Sequence, residues 1–400
     1  MNTTGSTTQL TASSQKLGTT TRSSGDAFRE LISGEQTGIP AGVLRTTLRV
    51  LSWFYGIAIW LRNRAFDVGL CSTARVSVPV ISIGNITTGG TGKTPVVAWL
   101  VRCLSELGRK PGIVSRGYHA DQSGHNDEYR VLELLCPNVP HIQNKNRAQS
   151  AIRLVTESAV NVIVMDDGFQ HRRLARDLDI VLIDALNPFG FNAILPRGLL
   201  REPLSSLRRA SLILITRCDS VAPDQLQVIR RKVLELTCLP PDKLFEVAFV
   251  PAALVNTTGD RRSVNDVSGK SAFLMCGIGN PEAFTKTCLS MGVQIVGSRT
   301  FPDHHHYSES DITSVVSEFD NSGAELLLTT QKDLVKLPRS ATFFSAVELS
   351  VSVTNHSDLS GQKVGSSSET GIGGTSAAAD SGPLSAEKQF LQILQQILDC

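Results

Sequence analysis

The chain has 400 residues, enough for two domains with sizeable cores. Its 41% apolar and 19% charged composition is that of a soluble globular protein, and a net charge of +2 with no long basic run gives no footing for nucleic acid. Eight cysteines, at 71, 103, 136, 218, 238, 276, 288 and 400, show no Cys-x-x-Cys spacing, which argues against a zinc cage or disulfide framework and suits a reducing compartment.

Residues 1–40 are rich in Ser, Thr and Gly and poor in apolar side chains, so a disordered leader is expected there. Acidic residues are scarce before Asp26, as in a transit peptide, but arginines are few. Residues 41–70 read as a helix. Its charge-free run, Val50 to Leu61, is 12 residues long, against the roughly 20 needed to cross a bilayer. Arg45 and Arg49 precede the run, Arg62 and Arg64 follow it, and Trp53 and Trp60 lie inside. That pattern suits a helix lying in a membrane surface, and equally an ordinary helix packed on the domain.

A phosphate-loop domain is expected over 71–255. An apolar strand, Val78 to Ile83, runs into Gly84-Asn-Ile-Thr-Thr-Gly-Gly-Thr-Gly-Lys-Thr94, and an apolar helical pattern follows from Val96 to Leu107. Strand, glycine loop and helix gather backbone N–H groups around one anion. Thr87, Thr88, Gly89, Gly90, Thr91, Gly92, Lys93 and Thr94 are the phosphate-binding candidates, with Lys93 on the β/γ-phosphates of ATP and the Thr94 hydroxyl on Mg²⁺. The usual pattern has glycine where Thr87 stands, while Pro95 suits a first helical turn.

Strand–helix alternation continues, which implies a parallel sheet sandwiched by helices. Pro111 to Tyr118 is a short strand ending in a loop, where ligands bind in open α/β sheets. Asn161 to His171 is a hydrophobic strand ending in Asp166 and Asp167, the way such enzymes place a carboxylate beside the loop's metal. Ile180–Asp184 and Ser211–Arg217 are further strands. Between them, Leu195 to Pro203 carries Arg197 and Arg201, which suit either a phosphate clamp or a structural role.

A smaller α/β domain is expected over 256–352. In its Phe301 to Tyr307 loop, consecutive histidines cannot all face one metal, so a single histidine oriented by a carboxylate is the better reading than zinc. Residues 353–386 read as a disordered insertion. Over 387–400, Phe390, Ile393, Leu394, Ile397 and Leu398 form one face of a helix expected to pack on the second domain.

From Ala41 to Lys336 the chain resembles the tetraacyldisaccharide 4'-kinases of lipid A biosynthesis. The resemblance rests on Gly84-Asn85 with Gly89 to Pro95, Ser115-Arg-Gly-Tyr118, Asp166-Asp-Gly-Phe-Gln-His171, Leu195-Pro-Arg-Gly198 with Leu200-Arg-Glu-Pro203, Phe301 to Tyr307 and Thr330-Gln-Lys-Asp333. Thr87 in place of glycine is shared with that family. The resemblance implies transfer of the ATP γ-phosphoryl to the 4'-hydroxyl of an acylated glucosamine disaccharide 1-phosphate, giving lipid IVA. It also implies an N-terminal helix seated in the cytoplasmic face of the inner membrane; a monomer is expected.

Carried over by motif, Lys93 and Thr94 bind phosphates and Mg²⁺, Asp166 and Asp167 serve the metal, and Asp127 is the general base, supported by Asp303 and His304. Arg116, Arg147, Gln170, Arg197 and Arg201 are the acceptor-binding candidates, with Arg197 and Arg201 assigned to the 1-phosphate. Around the base the family reads Gly-Asp-Glu-Pro, whereas this chain has Asn126-Asp-Glu-Tyr129. Two other readings share the glycine loop. An ATP-dependent ligase of cofactor synthesis has no use for an arginine-flanked interfacial helix, and a membrane-associated nucleotide switch has no use for Asp127 or His304.

Overall fold

The structure, a computed structural model, describes residues 24–117, 125–354 and 385–399. Two helices lead the chain, α1 (Ser24–Ser33) and α2 (Ile39–Asp67). The leader expected through residue 40 is therefore helical from Ser24, and its earlier part lies outside the described residues. Average composition hid a short amphipathic turn in which Phe28, Leu31 and Ile32 fall at i, i+3 and i+4, and Leu31 and Ile32 are buried. At 29 residues α2 is roughly 44 Å long. Among the described residues no helix is long and apolar enough to cross a membrane.

The expected parallel sheet follows. Strands β1 (Val80–Asn85), β2 (Pro111–Ser115), β3 (His141–Gln143), β4 (Val162–Asp166), β5 (Leu178–Asp184) and β6 (Leu212–Thr216) lie in the order β6-β5-β1-β4-β2-β3, all parallel. Helices α3 (Lys93–Glu106), α4 (Asp127–Leu135), α5 (Arg147–Ser158) and α6 (Pro223–Thr237) alternate with them. Strands β1, β2, β4 and β6 are buried at every position, which is why they read as near-continuous apolar runs.

The 13-residue strand β7 (Leu244–Asn256) joins the two halves. Its start pairs in parallel with β6, and Glu246 to Asn256 pairs antiparallel with β12 (Phe344–Thr354). Beyond it the sheet runs β12-β11-β9-β10, through β9 (Ser271–Cys276), β10 (Gln294–Thr300) and β11 (Leu326–Thr330), while the short β8 (Arg261–Ser263) pairs with β7. With α7 (Pro281–Ser290), α8 (Glu309–Ser322) and α9 (Gln331–Leu334), these strands build cores of their own around Leu274 and Phe344. The second α/β unit thus extends the first sheet to twelve strands instead of forming a separate one.

The last helix, α10 (Ala386–Leu398), corrects an expectation. Its apolar face is as expected, but Phe390 packs at a tilt against Trp99 of α3 with centroids 4.6 Å apart and meets Phe245 of β7 edge-on at 5.8 Å. Ile393, Leu394 and Leu398 join the core formed by α3, β1 and β4, and Arg109 bonds Asp399 at 2.5 Å. The helix therefore covers the phosphate-loop half, whose α3 is buried on several faces and needs a second cover. The insertion expected at 353–386 lies mostly outside the described residues, its first two residues closing β12.

Candidate active site

The phosphate loop leaves β1 at Asn85 and enters α3 through Gly92. Gly92 has φ 81°, and an added Cβ there would collide with the Phe249 ring, so only glycine fits. Thr87 is buried and bridges to Leu200. Both the N–H and the hydroxyl of Thr88 donate to the Leu199 carbonyl, at 2.7 and 3.3 Å. The Thr91 hydroxyl accepts from Asn85 Nδ2 at 3.0 Å, and the Thr91 carbonyl accepts from Thr216 at 3.0 Å. Thr88 and Thr91, two of the expected phosphate-binding residues, thus also hold the loop in shape. Gly92, Lys93 and Thr94 offer the first amides and the positive end of α3.

Lys93 Nζ lies 3.5 Å from Asn85 Oδ1 and 3.4 Å from Asp167 Oδ1. Arg201 Nη1 bridges both oxygens of Asp167, at 2.9 and 2.8 Å, and Arg147 donates to the Asp167 carbonyl at 2.8 Å. Burial opposes the charge of Asp167, but Lys93 and Arg201 outweigh it and bring its carboxyl down to about 2. Asp166 differs. Burial pushes its carboxyl up, Glu128 and Asp167 push further, and its Oδ1 is buried with no hydrogen-bond partner. An orphaned carboxylate oxygen at the end of β4, on which Lys93 at the start of α3 acts, fits a cation. No group of three His, Cys, Asp or Glu side chains that could hold a metal ion occurs among the described residues.

Asp127 opens α4, where the Asn126 side chain caps the helix by accepting from Tyr129 N at 2.9 Å. Its Oδ2 lies 3.3 Å from His304 Nδ1 and 3.3 Å from Lys336 Nζ. Burial favours the neutral acid, yet the His304 hydrogen bond and Lys336 hold the carboxyl below its ordinary value. The same bond, against burial, raises His304. His304 has φ 61°, and its N–H donates to Asp303 Oδ1 at 3.1 Å. Lys336 is also 3.6 Å from buried Asp333, which accepts from Tyr307, Thr330 and the Gly277 amide. A cavity of about 140 Å³ opens here, lined by Asn126, Asp127, Arg130, Tyr307 and Lys336 among others.

Glu128, next to Asp127 at the start of α4, helps to raise the Asp166 carboxyl at the end of β4, so these two elements face one region. Residues 44–362 match the family described as Tetraacyldisaccharide-1-P 4'-kinase. The chain belongs to that family. It is 35% identical over 308 residues to the tetraacyldisaccharide 4'-kinase of Anaeromyxobacter sp. (strain K), covering 73% of this chain and 81% of that one. With the enzyme of the same name from Geobacter sulfurreducens it shares 34% over 328 residues, 78% of this chain and 89% of the other. The crystal structure of LpxK from Aquifex aeolicus in complex with ATP is similar at a TM-score of 0.63 and 27% identity, over 79% of this chain and 97% of that one. The ligase and switch readings are thereby set aside.

In this kinase the Leu195–Pro203 loop ties α2 to the phosphate loop. Arg201 N donates to the Ile86 carbonyl at 2.7 Å, and the Arg201 carbonyl accepts from Tyr55 of α2 at 3.1 Å. Ser52 of α2 donates to the Ile194 carbonyl and accepts from Arg197 N, both at 3.0 Å. The fully buried Glu202 gathers Arg62 at 3.0 Å, Asn63 at 3.0 Å and Arg209 at 2.8 Å.

The five acceptor candidates separate. Arg201 bonds Asp167, whereas the Arg197 side chain donates to the Ile32 carbonyl at 2.8 Å, and burial with Arg49 and Arg45 nearby lowers its pKa. Arg147 is buried against the Asp167 carbonyl, and Gln170 donates to the Asn85 carbonyl at 2.9 Å and accepts from Arg201 at 3.4 Å. Arg116 acts on Arg147 and His171, while its motif neighbour Tyr118 lies outside the described residues. Sequence reasoning missed Lys336, Glu202, Asn85 and Arg217, which bonds Asp184 and, at 2.5 Å, the Gly90 carbonyl. Asn85 and Glu202 sat inside the quoted motifs and could have been found there.

Proposed function

We propose that this kinase transfers the γ-phosphoryl of ATP to the 4'-hydroxyl of a tetraacyldisaccharide 1-phosphate, giving lipid IVA, as a monomer at the cytoplasmic face of an inner membrane. The observation that carries the reading is Asp127, ionised between His304 and Lys336 on the same helical turn as Glu128, whose charge reaches Asp166. A carboxylate so placed can accept the hydroxyl proton as the acceptor oxygen approaches phosphorus. His304, fixed through Asp303, holds the carboxylate's orientation. Lys93 and the α3 amides bind the phosphates, and because the transition state is loose, positioning and charge neutralisation count for more than base strength.

Asp166 and Thr94 would hold Mg²⁺, with Asp167 anchoring Lys93 and Arg201 behind them. Bound there, the ion would add positive charge at the phosphate oxygens.

The membrane reading is supported by α2. Its Ser52, Tyr55, Arg62 and Asn63 are bonded to the protein, while Trp53 is 65% and Trp60 60% exposed, together with Phe54, Ile57 and Leu61. An apolar face of this extent on a surface helix suits a lipid boundary. Arg45, Arg49 and Arg197 converge at the early end of that helix and suit the acceptor's 1-phosphate.

The test is transfer of γ-labelled phosphate from ATP to lipid A disaccharide 1-phosphate in detergent micelles. A labelled bisphosphate that is lost in Lys93→Ala and slowed in Asp127→Ala is expected. Undiminished label in Asp127→Ala would remove the base, and no lipid label despite Mg-ATP binding would overturn the acceptor.

A further inference from the structure

The residues matched to the family begin at 44, so α1 lies upstream of the shared fold, yet it reaches the phosphate loop. A methyl group placed on Gly89 would lie 3.9 Å from Nη2 of Arg29. We infer that Arg29 is a phosphate-contacting catalytic residue of this kinase, an arginine finger supplied in cis by α1 that grips the terminal phosphate of ATP. The inference rests on the nucleotide-site reading above, and not on the identity of the acceptor.

Three observations carry it. First, α1 is held at its C-terminal end. Arg197 donates to the Ile32 carbonyl at 2.8 Å, Arg45 to the Gln36 carbonyl at 2.6 Å, and Leu31 and Ile32 are buried. Cations on the carbonyl end of a helix also favour it electrostatically. Second, Arg29 and Ile32 are three residues apart and share a helix face, so the contact that seats Ile32 turns Arg29 toward the loop. Third, the guanidinium forms no ion pair among the described residues, whereas Arg217, on the Gly90 side of the loop, is already committed to Asp184. An unneutralised guanidinium over a loop built for phosphates has one chemical partner of high charge, the terminal phosphoryl of ATP, and Arg suits it through paired N–H donors. Gly89, at φ 117°, leaves the space between them open.

The test compares ATP and ADP binding with turnover in the full chain, using wild type, Arg29→Ala, Arg29→Lys, Ile32→Asp and Lys93→Ala. Arg29→Ala is expected to weaken ATP roughly tenfold or more, leave ADP within about twofold, lower kcat and keep the melting temperature. Arg29→Lys should recover part of the loss. Ile32→Asp, which undocks α1 with Arg29 intact, should reproduce it. An Arg29→Ala variant that binds ATP as wild type does, or that loses ATP and ADP equally, overturns the inference. Normal ATP binding by Lys93→Ala would overturn the nucleotide site itself, and the finger with it. If wild type binds ATP but labels no lipid, the acceptor fails alone and the ATP–ADP difference still decides Arg29.

Discussion

Lys336 Nζ stands 3.3 Å from Asp127 Oδ2, although the two residues belong to opposite halves of the sheet. Lys336 is nearly buried, and its second carboxylate, Asp333, is fully so. The pair places a fixed cation behind the proposed base.

That cation sets the pH range of the base. Asp127 is held below its ordinary value, so it works above that pKa and fails as pH falls through it. Lys336→Met removes a positive neighbour, which raises the carboxyl's pKa. The acidic limb of kcat/KM should therefore move to higher pH, while the plateau falls less than in Asp127→Ala. A pH–rate profile with an unmoved acidic limb would remove Lys336 from this role.

The Arg201–Asp167 pair sets the position of Lys93. With Arg201→Ala, Asp167 keeps only Lys93 at 3.4 Å and draws it from the phosphates, so kcat/KM for ATP should fall about tenfold. In Arg201→Ala/Asp167→Asn the two losses should not add, giving an interaction energy of about 1–3 kcal/mol in a double-mutant cycle. Additive losses would mean that the two residues act separately.

Glu202 is a stability site. It is 0% exposed and satisfies Arg62, Asn63 and Arg209 at once. Glu202→Ala leaves the partly buried Arg209 and the more exposed Arg62 without their carboxylate, with an expected loss of about 3 kcal/mol in denaturant unfolding. It should also loosen α2, visible as faster amide exchange around Arg62. A loss below about 1 kcal/mol would contradict this assignment.

Exposed aromatics on α2 should govern lipid binding without touching the chemistry. Trp53→Ser with Trp60→Ser is expected to weaken partition onto anionic vesicles by at least about tenfold. ATP binding should stay unchanged. Vesicle sedimentation at the wild-type level would show that this face meets something other than lipid.

Much of the nucleotide site was legible because it is local. One strand, one glycine turn and one helix start put Lys93 and Thr94 together, and a second strand ends in Asp166 and Asp167. The partners of Asp127 are another matter. His304 and Lys336 reach it only because β12 runs antiparallel to β7 and folds the second half of the chain back beside the first. No spacing records that pairing. The apolar face of α10 was equally plain, but burial is non-directional, and the face carries no address for Trp99 over any other apolar surface. Helix α1 escaped because its apolar residues are too few to stand out against a Ser/Thr-rich background.

Helix α10 also gives the molecule an order of assembly. The nucleotide half is synthesised first, yet Trp99 and Phe245 receive their cover from a 13-residue helix at the very end of the chain. From Asn256 onward the ribosome works for on the order of ten seconds before that helix emerges. Through that interval the nascent kinase carries an unsealed aromatic surface, a natural landing place for a chaperone. A message truncated before residue 386 would leave a product with the phosphate loop intact and that surface permanently open.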